Sequence, residues 1–218
     1  MNKFKAALFD LDGTLVDTES QYSIFWGKMG KKYHPEIPDF DQVIKGTTLP
    51  NIYQNYFPEK QTQEEITPLL YAWEAQMEYP FIKGAVEFIL ELRRKGVMCA
   101  VVTSSNEDKL NSLRKKTPGF DDYFDRILTS EMFTKSKPDP ECYLMAAKLF
   151  GCDKSECVVF EDALNGLKAG KSAGMLTVGL TTTNSAERIS GLCDLIVDDF
   201  TELSFDKLNE RLESSCGK

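Results

Sequence analysis

The sequence predicts an α/β protein in which a helical insert interrupts a parallel-sheet core. From about residue 82 to the end, short apolar segments alternate with amphipathic helical segments, and such alternation requires a parallel sheet with helices on both faces. An isolated apolar segment, Ala6–Phe9, precedes a stretch from about 19 to 79 with aromatic residues at helical spacing and no clear strand signal. We therefore predict a three-layer, Rossmann-like core formed by residues 1–16 and 82–218, with residues 17–81 forming an all-helical cap of three to five helices.

The elements of the core follow from periodicity and from the residues that begin and end helices. Gly96 is a helix-stop signal, and Asp139-Pro140 combines an N-cap residue with a first-turn proline. The pattern predicts helices over 84–95, from after 106 to about 116, from 139 onwards, over 163–173 and over 202–212, and strands over 6–9, 97–102, 126–129, 157–160, 175–180 and 195–197.

Composition disfavours several classes of function. The 218-residue chain has a net charge of -8, which argues against non-specific binding to nucleic acid or to an anionic membrane. It has no long apolar run and its start leads directly into the first strand, so we expect a cytoplasmic monomer without a signal peptide. Six cysteines without a Cys-x-x-Cys pair predict reduced thiols. The single histidine, His34, excludes a mechanism that needs two imidazoles, and we expect it in a loop or at the surface.

The first strand is followed by charged residues where apolar residues or a neutral turn are expected. Asp10 and Asp12 come directly after the buried apolar segment, and a Gly-Thr turn follows them. Carboxylates at the edge of a core cost several kcal/mol each unless a cation compensates them. The pair therefore predicts a bound ion or a buried cationic side chain.

Polar side chains also follow the later strands. Thr103 and Ser104 come after the 97–102 strand, and Glu161 and Asp162 come after the 157–160 strand. Lys137 precedes a proline, which disfavours helical backbone at that residue and lets its side chain point into a site. Ligands of open parallel sheets bind at the carboxyl ends of the strands, so we expect these side chains to meet the aspartate pair there.

This set of side chains suits phosphoryl transfer. An all-oxygen cluster without histidine or cysteine favours a hard cation, most simply Mg²⁺. The transition state of phosphoryl transfer spreads negative charge over oxygens, which fixed cations and donors stabilise. We predict that Asp10 attacks phosphorus to form an aspartyl-phosphate, and that Asp12 serves as general acid and then as general base.

The order of these residues resembles that of a known family. Phe9-Asp10-Leu11-Asp12-Gly13-Thr14-Leu15-Val16-Asp17 is similar to the first motif of the haloacid dehalogenase-like (HAD) hydrolases. Thr103, Lys137 and the Glu161-Asp162 pair fall where the other three motifs are expected, and Gly166 and Ala169-Gly170 accompany the last of them. The helical insert resembles the small cap of the phosphoglycolate phosphatase and β-phosphoglucomutase subfamily.

The resemblance implies a role for each matching residue. For catalysis it implies Asp10 as nucleophile, Asp12 as general acid and base, and Thr103 and Lys137 as phosphoryl ligands, with Ser104 or Asn106 as helpers. For the metal it implies Mg²⁺ held by Asp10, the backbone carbonyl of Asp12 and Asp162, with Glu161 acting through water.

Within this family two reactions have to be compared with phosphate hydrolysis: dehalogenation and phosphoryl transfer by a mutase. A dehalogenase of this superfamily needs neither Mg²⁺ nor the second aspartate, so the residues favour phosphoryl chemistry. A β-phosphoglucomutase would place a histidine and an arginine in the cap where an ungapped comparison finds Tyr22 and Leu49, and a leucine cannot anchor a second phosphate. We therefore predict hydrolysis of a small phosphorylated metabolite, by analogy a sugar or polyol phosphate. A pyrophosphatase and a phospho-accepting receiver-like module are the less favoured alternatives.

We expect the cap to contact the leaving group of the substrate. The candidate side chains are Thr18, Tyr22, Lys45 and Thr47. Asp17, Glu19, Thr48 and Trp73 are further candidates, and the mix of hydroxyl groups, acidic groups and aromatic rings would suit a hydroxylated leaving group.

Overall fold

The chain forms two compact units. A computed structural model describes residues 3–45 and 49–214. One unit, here called the sheet unit, comprises Met1–Asp17 and Pro80–Lys218, and the other, the helical unit, comprises Thr18–Tyr79. The predicted α/β class with an all-helical insert is confirmed. The functional division into a core over 1–16 and 82–218 and a cap over 17–81 stays a prediction.

The sheet unit contains a six-stranded, fully parallel sheet. Its strands are β1 (Ala6–Phe9), β2 (Met98–Val102), β3 (Arg126–Leu128), β4 (Cys157–Glu161), β5 (Leu176–Leu180) and β6 (Leu195–Val197). The spatial order is β3-β2-β1-β4-β5-β6, so the chain reverses its direction of winding at β1. Ligands of doubly wound sheets bind at such a reversal point, next to the carboxyl ends of β1 and β4.

Helices cover the sheet at the predicted places, with small changes at their ends. They are α5 (Ala85–Arg94), α6 (Glu107–Lys116), α7 (Glu141–Phe150), α8 (Leu164–Ser172) and α10 (Phe205–Ser214). A further short helix, α9 (Ala186–Ile189), follows β5 and was not predicted. The predicted start of the last helix at 202 is wrong, because residues 200–202 form a separate 3-10 turn capped by the Asp199 carboxylate. The predicted N-cap at Asp139 is one residue early. Pro140 occupies the N-cap position, and Asp139 Oδ1 accepts the backbone N–H of Glu141 at 3.0 Å.

Two apolar layers bury β1 on both faces. On one face Phe9 stacks on Phe160 with ring centroids 4.6 Å apart. On the other face Leu8 and Val159 belong to the buried cluster that includes Tyr143 of α7. Side chains alternate between the faces of a strand. The residues that follow Phe9 and Phe160, Asp10 and Glu161, therefore fall on the α7 face.

The helical unit has its own aromatic core. Among the described residues it contains α1 (Glu19–Tyr33), α2 (Phe40–Ile44), α3 (Leu49–Tyr56) and α4 (Lys60–Glu74). Its buried cluster is formed by Phe25, Trp26, Met29, Phe40, Ile44, Ile52, Phe57, Ile66 and Leu70. His34 follows α1 in a loop, as predicted, but its ring stacks on Phe40 and its Nε2 bonds the Tyr56 carbonyl at 2.7 Å. The interaction gives His34 a structural role.

Two sequence-based expectations concern the chain as a whole. Within the described ranges, no helix combines the length and the apolar character needed to cross a bilayer. Five cysteines, Cys99, Cys142, Cys152, Cys157 and Cys193, are free thiols, which agrees with the predicted reduced state. Cys216 lies outside the described residues.

Candidate active site

Strand register brings the first two carboxylates together. Phe9 pairs with Phe160 across β1 and β4, and the backbone N–H of Asp10 donates to the Phe160 carbonyl at 3.0 Å. Asp10 and Glu161 are therefore neighbours at the carboxyl edge of the sheet, and Asp162 follows at once. One carboxylate oxygen from each of these three buried residues lies within 4.8 Å of the other two.

Lys137 is the buried cation that the aspartates require. Its Nζ donates to Asp10 Oδ1 at 2.6 Å, to Glu161 Oε1 at 2.7 Å and to the Val102 carbonyl at 3.0 Å. The peptide bond between Lys137 and Pro138 is cis. Three acceptors from three different segments use all three protons of the ammonium group and hold it against the nucleophile candidate.

The electrostatics of the cluster show an excess of negative charge. Burial, reinforced by the Glu161 charge, raises the pKa of Asp10 to about 7 despite the opposing effect of Lys137. Burial and then the Glu161 and Asp10 charges raise the pKa of Asp162 well above its usual value. Burial by itself would lower the pKa of Lys137, but Asp10 and Glu161 outweigh it and hold that pKa well above the ordinary value.

The donor set fits a divalent hard cation. Three buried carboxylates face one buried ammonium group, and burial, reinforced by the neighbouring negative charges, raises the pKa values of Asp10 and Asp162. All the available ligand atoms are oxygens, which Mg²⁺ prefers. Each oxygen of Asp162 accepts a hydrogen bond from a hydroxyl group: Oδ1 from Thr14 at 2.7 Å, and Oδ2 from Thr183. These bonds orient the carboxylate, and each oxygen retains a lone pair for a metal.

Glu161 supports the site mainly through hydrogen bonds. Its Oε1 accepts from Lys137 and from the Tyr143 hydroxyl at 3.0 Å, while its Oε2 accepts the backbone N–H groups of Asp162 and Ala163 at 3.0 and 3.1 Å. Both oxygens are thus engaged, which favours the indirect contact with the metal implied by the resemblance. The two backbone donors lie at the N-terminus of α8, where a carboxylate is stabilising.

Gly166 gives a test of this arrangement by stability. A Cβ atom at this position of α8 would overlap the Glu161 carboxylate. We expect Gly166→Ala to lower the free energy of unfolding by about 1–3 kcal/mol and to reduce turnover, since Glu161 must move away from Lys137. Gly191→Ala is the matched control, because a Cβ there meets nothing within 4 Å. Equal melting temperatures for the two variants would contradict the assigned position of Glu161.

Asp12 lies in a different environment from Asp10. Its Oδ2 accepts the Ser105 hydroxyl at 2.7 Å, and its Oδ1 pairs with Lys109 Nζ at 2.7 Å. Its side chain retains 21% exposure, compared with 12% for Asp10. A partly exposed carboxylate beside a buried one suits a group that exchanges protons with the leaving group and with water.

The residues after β2 form the third side of the site. Thr103 is buried, its N–H donates to the Leu128 carbonyl, and its Oγ1 accepts the N–H of Ser105 at 2.9 Å. Ser104 is exposed. Asn106 is the N-cap of α6, where its side chain accepts the Lys109 N–H at 3.0 Å. This capping role weakens the expectation that Asn106 binds phosphate, while Thr103 and Ser104 stay candidates.

The candidate cap residues are described within the helical unit only. Thr18 is buried at the N-cap of α1, and the Tyr22 hydroxyl donates to Glu74 Oε1 at 2.9 Å. Lys45 is half-buried at the end of α2. Thr47 and Thr48 lie outside the described residues. Their contact with substrate stays a prediction.

Several supporting residues escaped the sequence analysis. They are Thr14, Ser105, Lys109, Tyr143, Thr183 and Asn184. Thr183 and Asn184 belong to a polar run after β5, so the rule that polar residues at strand ends form a site could have found them. The Asn184 amide donates to the Asp162 carbonyl at 2.9 Å. Lys109 and Tyr143 lie inside helices, where a lysine or a tyrosine gives no distinctive signal.

The position after Asp12 accepts only a glycine, Gly13. Its φ of 78° lies in the left-handed region, and a Cβ there would lie 2.7 Å from Thr183 Oγ1 and overlap the Asp162 carboxylate. The turn after β1 therefore approaches the carboxylate site more closely than any side chain would allow.

The fold and the site together define an α/β enzyme with a buried cluster of three carboxylates and one lysine at the carboxyl edge of its sheet. The chain belongs to the haloacid dehalogenase-like hydrolases, whose family model matches residues 7–180. The resemblance inferred from the four motifs is thereby confirmed for the family.

Individual relatives lie within the same family. The chain is 31% identical over 208 residues to validoxylamine A 7'-phosphate phosphatase of Streptomyces hygroscopicus subsp. limoneus, covering 92% of this chain and 96% of that protein. It is 27% identical to hexitol phosphatase A of Escherichia coli, covering 93% and 94%. A HAD hydrolase structure from Entamoeba histolytica superposes with a TM-score of 0.81 at 23% identity, covering 96% of this chain and 99% of that one, and shows the same fold.

Proposed function

We propose that the protein is a Mg²⁺-dependent phosphatase that hydrolyses a small phosphomonoester through an aspartyl-phosphate. The observation that carries the proposal is the ion pair between Lys137 and Asp10 at 2.6 Å, beside two further buried carboxylates. This arrangement offers one nucleophilic oxygen, one fixed cation and the ligands for a second cation. Bound Mg²⁺, held by Asp10, Asp162 and the Asp12 carbonyl, would offset negative charge on the phosphoryl oxygens.

In the first step an Asp10 oxygen attacks phosphorus and the bond from phosphorus to the leaving oxygen breaks. Asp12 donates a proton to that oxygen, so the leaving group departs as an alcohol. Lys137 Nζ stays bound to Glu161 and to the Val102 carbonyl, while the proton that it donates to Asp10 in the substrate-free protein is donated to a phosphoryl oxygen instead. The Thr103 hydroxyl assists. Ser105 and Lys109, which contact the two oxygens of Asp12, hold this side chain in place.

In the second step water attacks the phosphorus of the aspartyl-phosphate. Asp12, now a carboxylate, takes a proton from the water, and the bond between phosphorus and the Asp10 oxygen breaks. Inorganic phosphate leaves, and both aspartates return to their starting states. The fixed donors serve both steps because the same phosphoryl oxygens carry negative charge in each transition state.

The proposed leaving group is a sugar or a polyol. Two relatives whose names specify phosphorylated hydroxyl compounds, the validoxylamine A 7'-phosphate phosphatase and the hexitol phosphatase, support this class. The mutase alternative needs an anchor for a second phosphate. Tyr22 is hydrogen-bonded to Glu74, and Leu49 packs against the apolar core of the helical unit, so neither supports such an anchor.

The test is phosphate release from a panel of sugar phosphates, polyol phosphates, phosphoglycolate, nucleotides and pyrophosphate. We expect release from sugar or polyol esters with Mg²⁺ and a loss of at least about 10²-fold with chelator. A parallel assay of β-glucose 1-phosphate for glucose 6-phosphate covers the mutase reaction. Formation of glucose 6-phosphate without free phosphate would overturn the hydrolase assignment.

We also propose that the enzyme works as a monomer in the cytoplasm. The five described free cysteines support a reducing compartment. The net charge of -8 supports a small metabolite rather than nucleic acid as the partner.

A further inference from the structure

The helical unit contains a cavity of about 330 Å³. All its described lining residues belong to α1–α4 and to Lys45, which follows α2. The volume lies at the lower end of the roughly 300–1,000 Å³ of small-molecule sites. The cavity is therefore large enough for one small ring or a short open-chain molecule.

One wall of the cavity is apolar and aromatic. It is formed by Trp26, Ile44, Ile52 and Leu70, all of which are buried in the core of the helical unit. An indole ring presents a broad apolar face against which the C–H groups of a sugar or a cyclitol can pack.

The polar lining of the cavity is predominantly acidic. Glu19, Asp41 and Glu74 contribute three carboxylates, and Lys45 contributes one ammonium group. The Tyr22 hydroxyl donates to Glu74 Oε1 at 2.9 Å and so fixes one of the carboxylates.

This lining selects ligands by charge. Ionised carboxylates accept hydrogen bonds from hydroxyl and ammonium groups and cannot donate. A ligand with a carboxylate or a second phosphate would face like charges at short range, which disfavours binding. A hydroxylated molecule with no negative charge satisfies both the acidic and the aromatic walls.

We propose that the cavity binds a small polyhydroxylated molecule that is uncharged or cationic, such as a polyol or an amino sugar. The ligand has two possible sources, and the first rests on the proposed function. In the first case the ligand is the leaving group of the substrate, and the preferred ester then carries no anionic group besides its phosphate. In the second case the ligand is a separate molecule with the same chemistry.

The binding test uses three six-carbon probes that differ in charge: glucosamine, glucitol and gluconate. Trp73→Phe leaves Trp26 as the sole tryptophan, so the emission of Trp26 reports on the cavity itself. We expect glucosamine to bind at least about tenfold more tightly than gluconate, with glucitol between them. Calorimetry on the unaltered chain repeats the series without the reporter substitution.

Matched variants assign the charge selection to the cavity. Asp41→Asn and Glu74→Gln should each reduce the preference for glucosamine over gluconate by at least about threefold. Glu64→Gln should leave it unchanged, since Glu64 is exposed on α4 and paired with Lys60 at 3.7 Å. Equal affinity for gluconate and glucosamine, or no response of Trp26 and no heat with any probe, would overturn the proposal.

A second set of assays distinguishes the two sources. If the ligand is the leaving group, Asp41→Asn and Glu74→Gln shift the kcat/KM ratio between glucosamine 6-phosphate and 6-phosphogluconate. If it is a separate molecule, the ratio stays constant and free glucosamine alters the rate on an unrelated aryl phosphate. Binding to the cavity without phosphate release from any ester would refute the proposed function and leave the binding site standing.

Discussion

Asp10→Asn should lower phosphate release by at least about 10³-fold, because an amide oxygen at this position cannot form the aspartyl-phosphate. The structure places the Asp10 carboxylate 2.6 Å from Lys137 Nζ, with Glu161 and Asp162 beside it. Steady-state release of phosphate from the best ester of the panel measures the loss. Detection of a phosphorylated Asp10 by mass spectrometry in the unaltered enzyme would give direct support.

The stability of the same variant provides its control. The pKa of Asp10 is raised from 3.8 to about 7 in the folded protein, so between these pH values the native state holds a proton that the unfolded chain has released. The metal-free enzyme therefore loses stability as pH rises through that window. Asn does not titrate, so the stability of Asp10→Asn should depend less on pH than that of the unaltered enzyme. At pH 8 the variant should have the higher melting temperature. A cooperative transition confirms that the inactive variant is folded, and turnover within tenfold of the unaltered enzyme would contradict the nucleophile assignment.

Lys137→Met should produce the second largest effect, a loss of at least about 10²-fold in kcat. The substitution removes the only cation in contact with both Asp10 and Glu161 within the described part of the chain. It also leaves buried carboxylates uncompensated, which should lower the metal-free stability by about 3–5 kcal/mol at neutral pH. The loss of stability should shrink at acidic pH, where Asp10, whose pKa burial raises, becomes protonated.

Two further variants separate the catalytic from the structural effect. Lys135→Met is the matched control, since Lys135 is exposed and pairs with Asp139 at 3.2 Å on the surface. It should change neither kcat nor the melting temperature appreciably. Lys137→Arg keeps the positive charge but changes the geometry of the donors, so it should recover stability more than activity. A fall of less than threefold in kcat for Lys137→Met would remove Lys137 from the phosphoryl site.

Much of the sheet was predictable because its strands are short, apolar and bounded by turn signals. β1 and β6 occupy the predicted ranges, and β2–β5 differ from them by one residue at an end. The start of the last helix was less accurate, since a 3-10 turn at 200–202 has the same local composition as a first helical turn. Strand order was not predicted, because it depends on packing between segments that lie far apart in the chain.

In the candidate site, too, some residues were predictable from local sequence and others only from the packing of distant segments. The side chains at the carboxyl ends of the strands, Asp10, Thr103 and Glu161, were identifiable because a polar residue after a buried apolar run is conspicuous. Tyr143 was not, although its hydroxyl lies 3.0 Å from Glu161 Oε1. Its position in an amphipathic helix also predicts an ordinary core residue. Only the packing of α7 on the β1 and β4 face shows that the ring lies beneath Lys137.

By itself, the sequence determined the α/β class, the helical insert, the family and the chemical types of the central site residues, because these follow from local periodicity and from motif spacing. Tertiary structure alone decided the strand order, the partners of each carboxylate and the acidic cavity of the helical unit. Thr14 bonds Asp162 across 148 positions of the chain, and Lys109 bonds Asp12 across about a hundred. Contacts at such separations arise from the packing of whole elements, and no local pattern in the sequence encodes them.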